Sequence, residues 1–171
     1  MDIIFWIAVL VLGVAVTYDI RSGRIPNWLT FPAMAVALVC HVWMAGVPGL
    51  LSSAFGLLIG FFIFLVLYLL GGMGAGDVKL MAAVGAFLGP RDVLLAALFT
   101  AIAGGIYAVT LLVVQKNNRK ALGRLGAMAK GLLLTGRLVH IPAGGNEKAT
   151  PLRYGVAIGI GTLAVLVQRI I

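Results

Sequence analysis

Apolar residues gather in long, nearly continuous segments that are separated by short polar ones. The segments do not alternate between apolar and polar positions, as the strands of a membrane β-barrel would. They are typical of helices that enter a lipid bilayer, where each backbone polar group must be satisfied within the helix. The pattern therefore predicts an all-α membrane protein with about six transmembrane helices. The predicted helices cover residues 3–18, 28–45, 51–70, 77–88, 93–114 and 154–167.

Composition supports a membrane protein. The chain is 62% hydrophobic and 11% charged, and a soluble domain of 171 residues could not bury that much apolar surface. Its first apolar segment follows Asp2 rather than a basic run, so we expect a first membrane span and not a cleaved signal peptide. Pro26 is expected to separate the first two helices, and Asn27 to cap the second. We expect residues 1–171 to form one integral membrane domain.

The formal net charge of +8 is distributed unevenly along the chain. If both chain ends face outward, the loops after the first, third and fifth helices face the cytoplasm. All 13 Lys and Arg residues except Arg91 and Arg169 then lie on the cytoplasmic side, which is the positive-inside asymmetry of membrane proteins. Topology therefore explains the basic charge, and nucleic acid is not expected as a partner.

The polar, basic loop at about residues 115–150 begins with an amphipathic segment, residues 115–138. On a helical wheel its apolar side chains share one face and its basic side chains lie opposite. This pattern predicts an interfacial helix on the cytoplasmic surface that binds anionic lipids, with docking of a protein partner as the alternative. The apolar face holds Leu122, Leu125, Met128, Leu132 and Leu133, and the basic face holds Arg119, Lys120, Arg124, Lys130 and Arg137.

A glycine-rich turn precedes Asp77 at the start of the fourth predicted helix. Gly74 and Gly76 indicate backbone conformations that are closed to other residues, or very close approach of another backbone. From Asp77 to Pro90 is about 14 residues, or about 21 Å of helix, against about 30 Å of hydrocarbon. Polar backbone inside a membrane must be covered by protein or water. We therefore expect Asp77 to lie below the cytoplasmic surface, in a water-filled cleft.

Asp19 follows the first apolar segment, on the same predicted side of the membrane as Asp77. Two carboxyl groups that lie close together do not both ionise readily. One can then donate a proton to a substrate carbonyl while the other takes a proton from water, as in aspartic proteases. Helix dipoles disfavour negative charge at a helix C-terminus and favour it at an N-terminus. We therefore assign Asp77 as the ionised base and Asp19 as the protonated acid, with Lys79 holding charge near Asp77.

Each aspartate also has a simpler interpretation. Asp19 could be a juxtamembrane residue paired with Arg21 or Arg24. Asp77 could be a helix N-cap. The occurrence of both in a chain with only 5 acidic residues favours a functional role. No zinc-protease or serine-hydrolase motif is present, and the single cysteine, Cys40, rules out a zinc site of four cysteines. We therefore expect no metal and no cofactor.

The order and spacing of these motifs resemble those of a known family. Asp19 precedes an Ile-Pro-Asn sequence at residues 25–27, and a Gly-Ala-Gly-Asp-Val-Lys sequence follows at residues 74–79. This combination resembles the type IV prepilin peptidases, which are intramembrane aspartyl proteases of the GxGD class. Residues 154–158 resemble the closing helix of the short Tad/Flp pilus branch of that family. The resemblance implies that Asp19 and Asp77 are catalytic. It implies supporting roles for Pro26, Asn27, Gly74, Gly76 and Lys79.

The resemblance further implies a substrate and a location. A Flp-type prepilin would lose its leader peptide at the cytoplasmic face of the bacterial inner membrane, just before its apolar helix. Longer family members carry a cytoplasmic domain with paired CxxC motifs, and many methylate the new N-terminus. With one cysteine, this chain is expected to lack both the zinc site and the methyltransferase activity. Small residues that could pack against the pilin helix, or within the protein, are Gly104, Gly105, Gly155, Gly159 and Gly161.

Two other functions are compatible with the sequence. A small proton- or ion-coupled transporter could use the two aspartates as a proton relay. Such transporters usually show internal repeats and a site at the membrane midplane, and the halves of this chain do not match each other. A non-catalytic pilus-assembly membrane protein is the third alternative, and it predicts that Asp77→Ala leaves leader processing intact.

Overall fold

Every regular element in the computed structural model is an α-helix across the residues that it describes, which are 3–70, 73–114 and 154–168. The all-α prediction is confirmed for these residues. The predicted interfacial helix at residues 115–138 lies outside them. The helices are α1 (Ile3–Ser22), α2 (Asn27–Leu69), α3 (Ala75–Leu88), α4 (Pro90–Val114) and α5 (Tyr154–Gln168).

Within the described part of the chain, 3 helices are long and apolar enough to cross a membrane by length and composition. They are α1, α2 and the Pro90–Thr110 part of α4. α5 is also apolar but has 15 residues, and α3 has 14. These apolar helices identify an integral membrane protein. The expected number of about six spans goes beyond these 3 helices and stays a prediction.

α2 combines the second and third predicted helices in one element of 43 residues. The sequence predicts a turn at residues 46–49, but only Gly46 inside α2 departs from helical geometry, with φ 61° and ψ −140°. A Cβ placed on Gly49 would overlap the main-chain oxygen of His41. In a continuous helix these two residues would be about 12 Å apart. The chain therefore turns sharply at Gly46, where a positive φ is readily adopted only by glycine.

α3 is buried on almost all sides. All of its 14 residues except Ala75, Gly76 and Lys79 are buried. The helix packs most extensively against α2 and also contacts α1 and α5. A short helix that is apolar all round is stable only when other elements surround it. This packing withdraws its first turn, which carries Asp77, from solvent.

Glycines bring α3 very close to the second half of α2. A Cβ on Gly56 would overlap the main-chain oxygen of Gly85, and a Cβ on Gly85 would overlap that of Gly56. One turn along, a Cβ on Gly60 would overlap the main-chain oxygen of Met81. The contacts run in opposite order along the two helices, so this half of α2 and α3 are antiparallel.

Contacts divide the chain into two compact units. One unit comprises Met1–Gly104 and Leu152–Ile171, and the other comprises Gly105–Pro151. Every residue of the candidate site described below belongs to the first unit. Most of the second unit lies outside the described residues, so the single domain over residues 1–171 stays a prediction.

Gly85→Ala is expected to destabilise the protein by about 1–3 kcal/mol, because the added methyl group would overlap main-chain atoms of Gly56. Thermal unfolding in detergent measures the effect. Gly13→Ala is the control, since it adds the same methyl group to a helix at a position with nothing within 4 Å. Equal melting temperatures for the two variants would contradict the close crossing of α2 and α3.

Candidate active site

Asp19 lies in the last turn of α1, and 5% of its surface is exposed. The helix ends at Ser22, and Gly23, at φ 63°, donates its N–H to the main-chain oxygen of Asp19 at 2.9 Å. The neighbouring Arg21 and Arg24 are both exposed. Asp19 is therefore buried, whereas the residues that follow it to the end of α1 are exposed.

Asp77 lies in the first turn of α3 and is 6% exposed. Its Oδ2 accepts a hydrogen bond of 3.0 Å from the N–H of Gly74. Its own N–H donates to the main-chain oxygen of Gly74 at 3.1 Å. Gly74 therefore occupies the N-cap position, and the suggestion that Asp77 is the N-cap is wrong. The carboxyl nevertheless satisfies one of the free N–H groups at the start of the helix, which fixes its orientation.

The two motif glycines have different environments. A Cβ on Gly76 would lie 3.2 Å from the Cβ of Ile25 and 3.3 Å from its main-chain nitrogen, so Gly76 permits a close approach. Gly74 is extended, with φ −84° and ψ 154°, a conformation open to any residue. A Cβ on Gly74 would make ordinary contact with Asp77 Oδ2, at 3.4 Å. The expected need for glycine therefore applies to Gly76 and not to Gly74.

Ile25 packs the loop between α1 and α2 onto α3. It is 8% exposed and contacts Gly76. Pro26 follows at the N-cap of α2, with φ −73° and ψ 143°. The fixed φ of proline and its missing N–H suit a residue at a helix start. The loop that leaves the end of α1, which carries Asp19, therefore packs against the first turn of α3, which carries Asp77.

Lys79 reaches from α3 to the start of α2. Its ammonium donates a hydrogen bond of 2.8 Å to the side-chain oxygen of Asn27 and lies 5.3 Å from the centroid of the Phe31 ring. The sequence predicts that Asn27 caps α2, but Pro26 occupies that position. Asn27 instead accepts the hydrogen bond from Lys79, so the described contacts of Lys79 are with α2 rather than with Asp77. The pair joins the first turn of α2 to the first turn of α3.

Asp19 at the end of α1 and Asp77 at the start of α3 both lie in the interior of the protein. α1 packs on α3, and both carboxyl groups are buried. Two carboxyl groups that lie close together in a buried site do not both ionise readily. Such a pair can donate a proton at one oxygen and accept one at another, as hydrolysis by a water molecule requires. Among the described residues, no group of three His, Cys, Asp or Glu could hold a metal ion.

The first turn of α5 forms a further side of the site. A Cβ on Gly155 would lie 2.7 Å from Oδ2 of Asp19 and 2.9 Å from its Cβ. The sequence identifies Gly155 only as a small residue for helix packing. Its contact with Asp19, like the contact of Ile25 with Gly76, joins distant parts of the chain and leaves no local signal in a single sequence.

Comparison with known proteins places these residues in a family context. A sequence model described as the Type IV leader peptidase family matches residues 6–109. The chain is similar to proteins named prepilin leader peptidase/N-methyltransferase from three organisms. The identity is 29% over 148 residues for Xanthomonas campestris pv. campestris, covering 83% of this chain and 42% of the relative. The identity is 33% over 129 residues for Bacillus subtilis, covering 73% of this chain and 51% of the relative. It is 31% over 114 residues for Aeromonas salmonicida, covering 62% of this chain and 39% of the relative.

The chain thus spans about half or less of the length of these relatives. No solved structure matches it significantly.

A double-mutant cycle tests the contact between Asn27 and Lys79. Asn27→Ala and Lys79→Met are expected to be non-additive in unfolding free energy by about 0.5–1.5 kcal/mol, because each removes the same hydrogen bond. Unfolding in detergent gives the four free energies. The control cycle combines Asn27→Ala with Arg91→Met, an exposed cation at the start of α4, and should be additive. Additivity in both cycles would show that Asn27 and Lys79 do not bind each other.

Proposed function

This chain belongs to the type IV leader peptidase family, and we propose that it is an intramembrane aspartyl endopeptidase that removes the leader peptide of a prepilin. The curated relatives are named for prepilin leader cleavage, which supports prepilin as the substrate class. Their names also include an N-methyltransferase, which is not part of the proposal.

One observation carries the proposal, namely the burial of two carboxyl groups on helices that pack against each other. Asp19 and Asp77 are 5% and 6% exposed. Both lie within residues 6–109, the part that matches the family. Burying ionisable groups in a membrane protein costs free energy, so a buried pair in a chain with 5 acidic residues is best explained by function.

The proposed mechanism uses the pair as acid and base. Asp77 is ionised and takes a proton from a water molecule, while the oxygen of that water attacks the carbonyl carbon of the scissile peptide. Asp19, protonated, donates its proton to the carbonyl oxygen, which gives a neutral tetrahedral intermediate. Asp77 then returns its proton to the leaving nitrogen as the C–N bond breaks, and Asp19 recovers its proton from the intermediate. The assignment of roles rests on Asp77, which lies at the N-terminus of α3, where a negative charge is favoured.

We place the carboxyl pair near the cytoplasmic face of the bacterial inner membrane. In the proposed arrangement six helices enter the membrane: α1, the parts of α2 before and after Gly46, α3, α4 and α5. α3 would extend about 21 Å of the roughly 30 Å hydrocarbon thickness, which leaves its first turn below the surface. The positive-inside asymmetry supports this orientation, because Arg21, Arg24 and Lys79 lie beside the pair in sequence. Anionic lipids would bind the basic segment at residues 115–138.

The proposed substrate is a Flp-type prepilin, consisting of a leader and an apolar helix. The resemblance of residues 154–158 to the closing helix of the Tad/Flp branch supports this choice over other pilin classes. The apolar helix of the substrate would pack beside the membrane helices, where small side chains allow backbones to approach.

Asp19→Asn and Asp77→Asn are each expected to reduce leader processing by about 1,000-fold or more, because each removes a proton transfer. Processing of a co-expressed Flp-type prepilin, followed by the size shift of the pilin, measures the effect. Asp92→Asn is the control: Asp92 lies in the first turn of α4, outside the pair, and its variant should process at the wild-type rate.

Processing that persists in either single variant would overturn the aspartyl mechanism. A non-catalytic assembly protein would leave processing unchanged in both variants. A proton-coupled transporter would give aspartate-dependent proton flux in proteoliposomes and no cleavage of purified prepilin.

A further inference from the structure

The first turn of α5 lies directly against the carboxyl group of Asp19. A Cβ on Gly155 would approach three atoms of the side chain, Oδ2 at 2.7 Å and Cβ and Cγ at 2.9 Å. The Oδ2 atom could move by side-chain rotation, but the Cβ is attached to the backbone of α1. A methyl group at position 155 therefore requires displacement of either helix or reorientation of the whole Asp19 side chain.

The start of α5 packs against α4. The ring of Tyr154 lies over Gly104 of α4, where an added Cβ would be 3.0 Å from Tyr154 Cε1. On the next turn Ile158 is fully buried, with 0% of its surface exposed. Further along, a Cβ on Gly161 would overlap Oγ1 of Thr100. The turn that carries Gly155, against which Asp19 packs, is thus itself packed against α4.

We propose that Gly155 is a positioning residue, which holds the Asp19 carboxyl in the orientation that faces Asp77. The inference rests on the proposed function for its catalytic consequence, but the packing that it invokes does not. Gly155 acts through Asp19 and need not contact the substrate. The lack of a side chain at residue 155 lets the main chain of α5 form the wall behind the carboxyl.

The same contact changes the electrostatic environment of Asp19. Asp19 lies at the C-terminal end of α1, which disfavours a negative charge, and against the N-terminal turn of α5, which favours one. The two helix ends oppose each other at this side chain. Displacing Asp19 from α5 would remove the contribution of the α5 N-terminus, which favours a negative charge. It would also change the orientation of the carboxyl group.

Two alanine variants on the same helix test the proposal. Gly155→Ala places a methyl group against Asp19, and Gly159→Ala places the same group against α1 one turn later, 2.7 Å from Cγ2 of Val16, a side-chain methyl that can move. With purified full-length protein and a Flp-type prepilin, Gly155→Ala is expected to lower kcat about 100-fold while KM changes little. Gly159→Ala should retain most of the wild-type kcat.

A second measurement needs no substrate. Modification of Asp19 by a water-soluble carbodiimide with an amine nucleophile, quantified by mass spectrometry, is expected to be faster in Gly155→Ala than in wild type, because the displaced carboxyl becomes accessible to water. Gly159→Ala should react at the wild-type rate. Tyr154→Leu loosens the contact with Gly104 and is also expected to accelerate the modification of Asp19. This variant replaces Gly155→Ala in the test if Gly155→Ala does not fold.

The outcomes separate the inference from the proposed function. Unchanged modification of Asp19 in the folded Gly155→Ala variant, or in Tyr154→Leu in its place, would overturn the positioning role, whatever happens to cleavage. Altered modification with no cleavage of prepilin by wild type would support the packing role and refute the peptidase. Altered modification with the expected loss of kcat would support both.

Discussion

The packing of α3 against α1, α2 and α5 is the constraint on which the candidate site depends. α3 has 14 residues, and its crossing with α2 leaves no space for a side chain at Gly56 or Gly85. A buried hydrogen bond of 2.8 Å from Ser53 to the main-chain oxygen of Ala86 adds a polar link at the same crossing. Because the interior of a protein is close-packed, α3 cannot shift along α2 without disrupting these contacts. The position of its first turn, and of the carboxyl there, is therefore fixed.

Three helix ends meet at the carboxyl pair, and each contributes a different physical effect. The N-terminus of α3 supplies the N–H group that binds Asp77, and the C-terminus of α1 carries Asp19. The first turn of α5 forms the wall behind Asp19. The contacts between Ile25 and Gly76, and between Asn27 and Lys79, then tie the intervening loop to α3.

Much of this arrangement can be predicted from the sequence, because hydrophobic segments report directly on helices in a membrane. The apolar segments predict the helices. The breaks between the segments single out the glycine-rich turn and the two aspartates. The sequence predicts the turn at residues 46–49, but not that the single positive φ of Gly46 makes it within one long element. The N-cap assignments of Asn27 and Asp77 fail because capping preferences are statistical: Pro26, the residue before Asn27, caps α2, and Gly74, three residues before Asp77, caps α3. The contact of Gly155 with Asp19 depends on tertiary packing, which one sequence does not encode locally.

The central claim is that the side chains of residues 19 and 77 lie together, and cross-linking tests it most directly. Asp19→Cys and Asp77→Cys are combined with Cys40→Ser in the full-length protein, in membranes, and treated with a short bifunctional thiol reagent. The control pair is Asp19→Cys with Asp92→Cys, since residue 92 lies beyond the far end of α3, about 21 Å along the helix. The account predicts an efficient intramolecular cross-link for the first pair and little for the second. Equal yields for the two pairs would contradict the shared site.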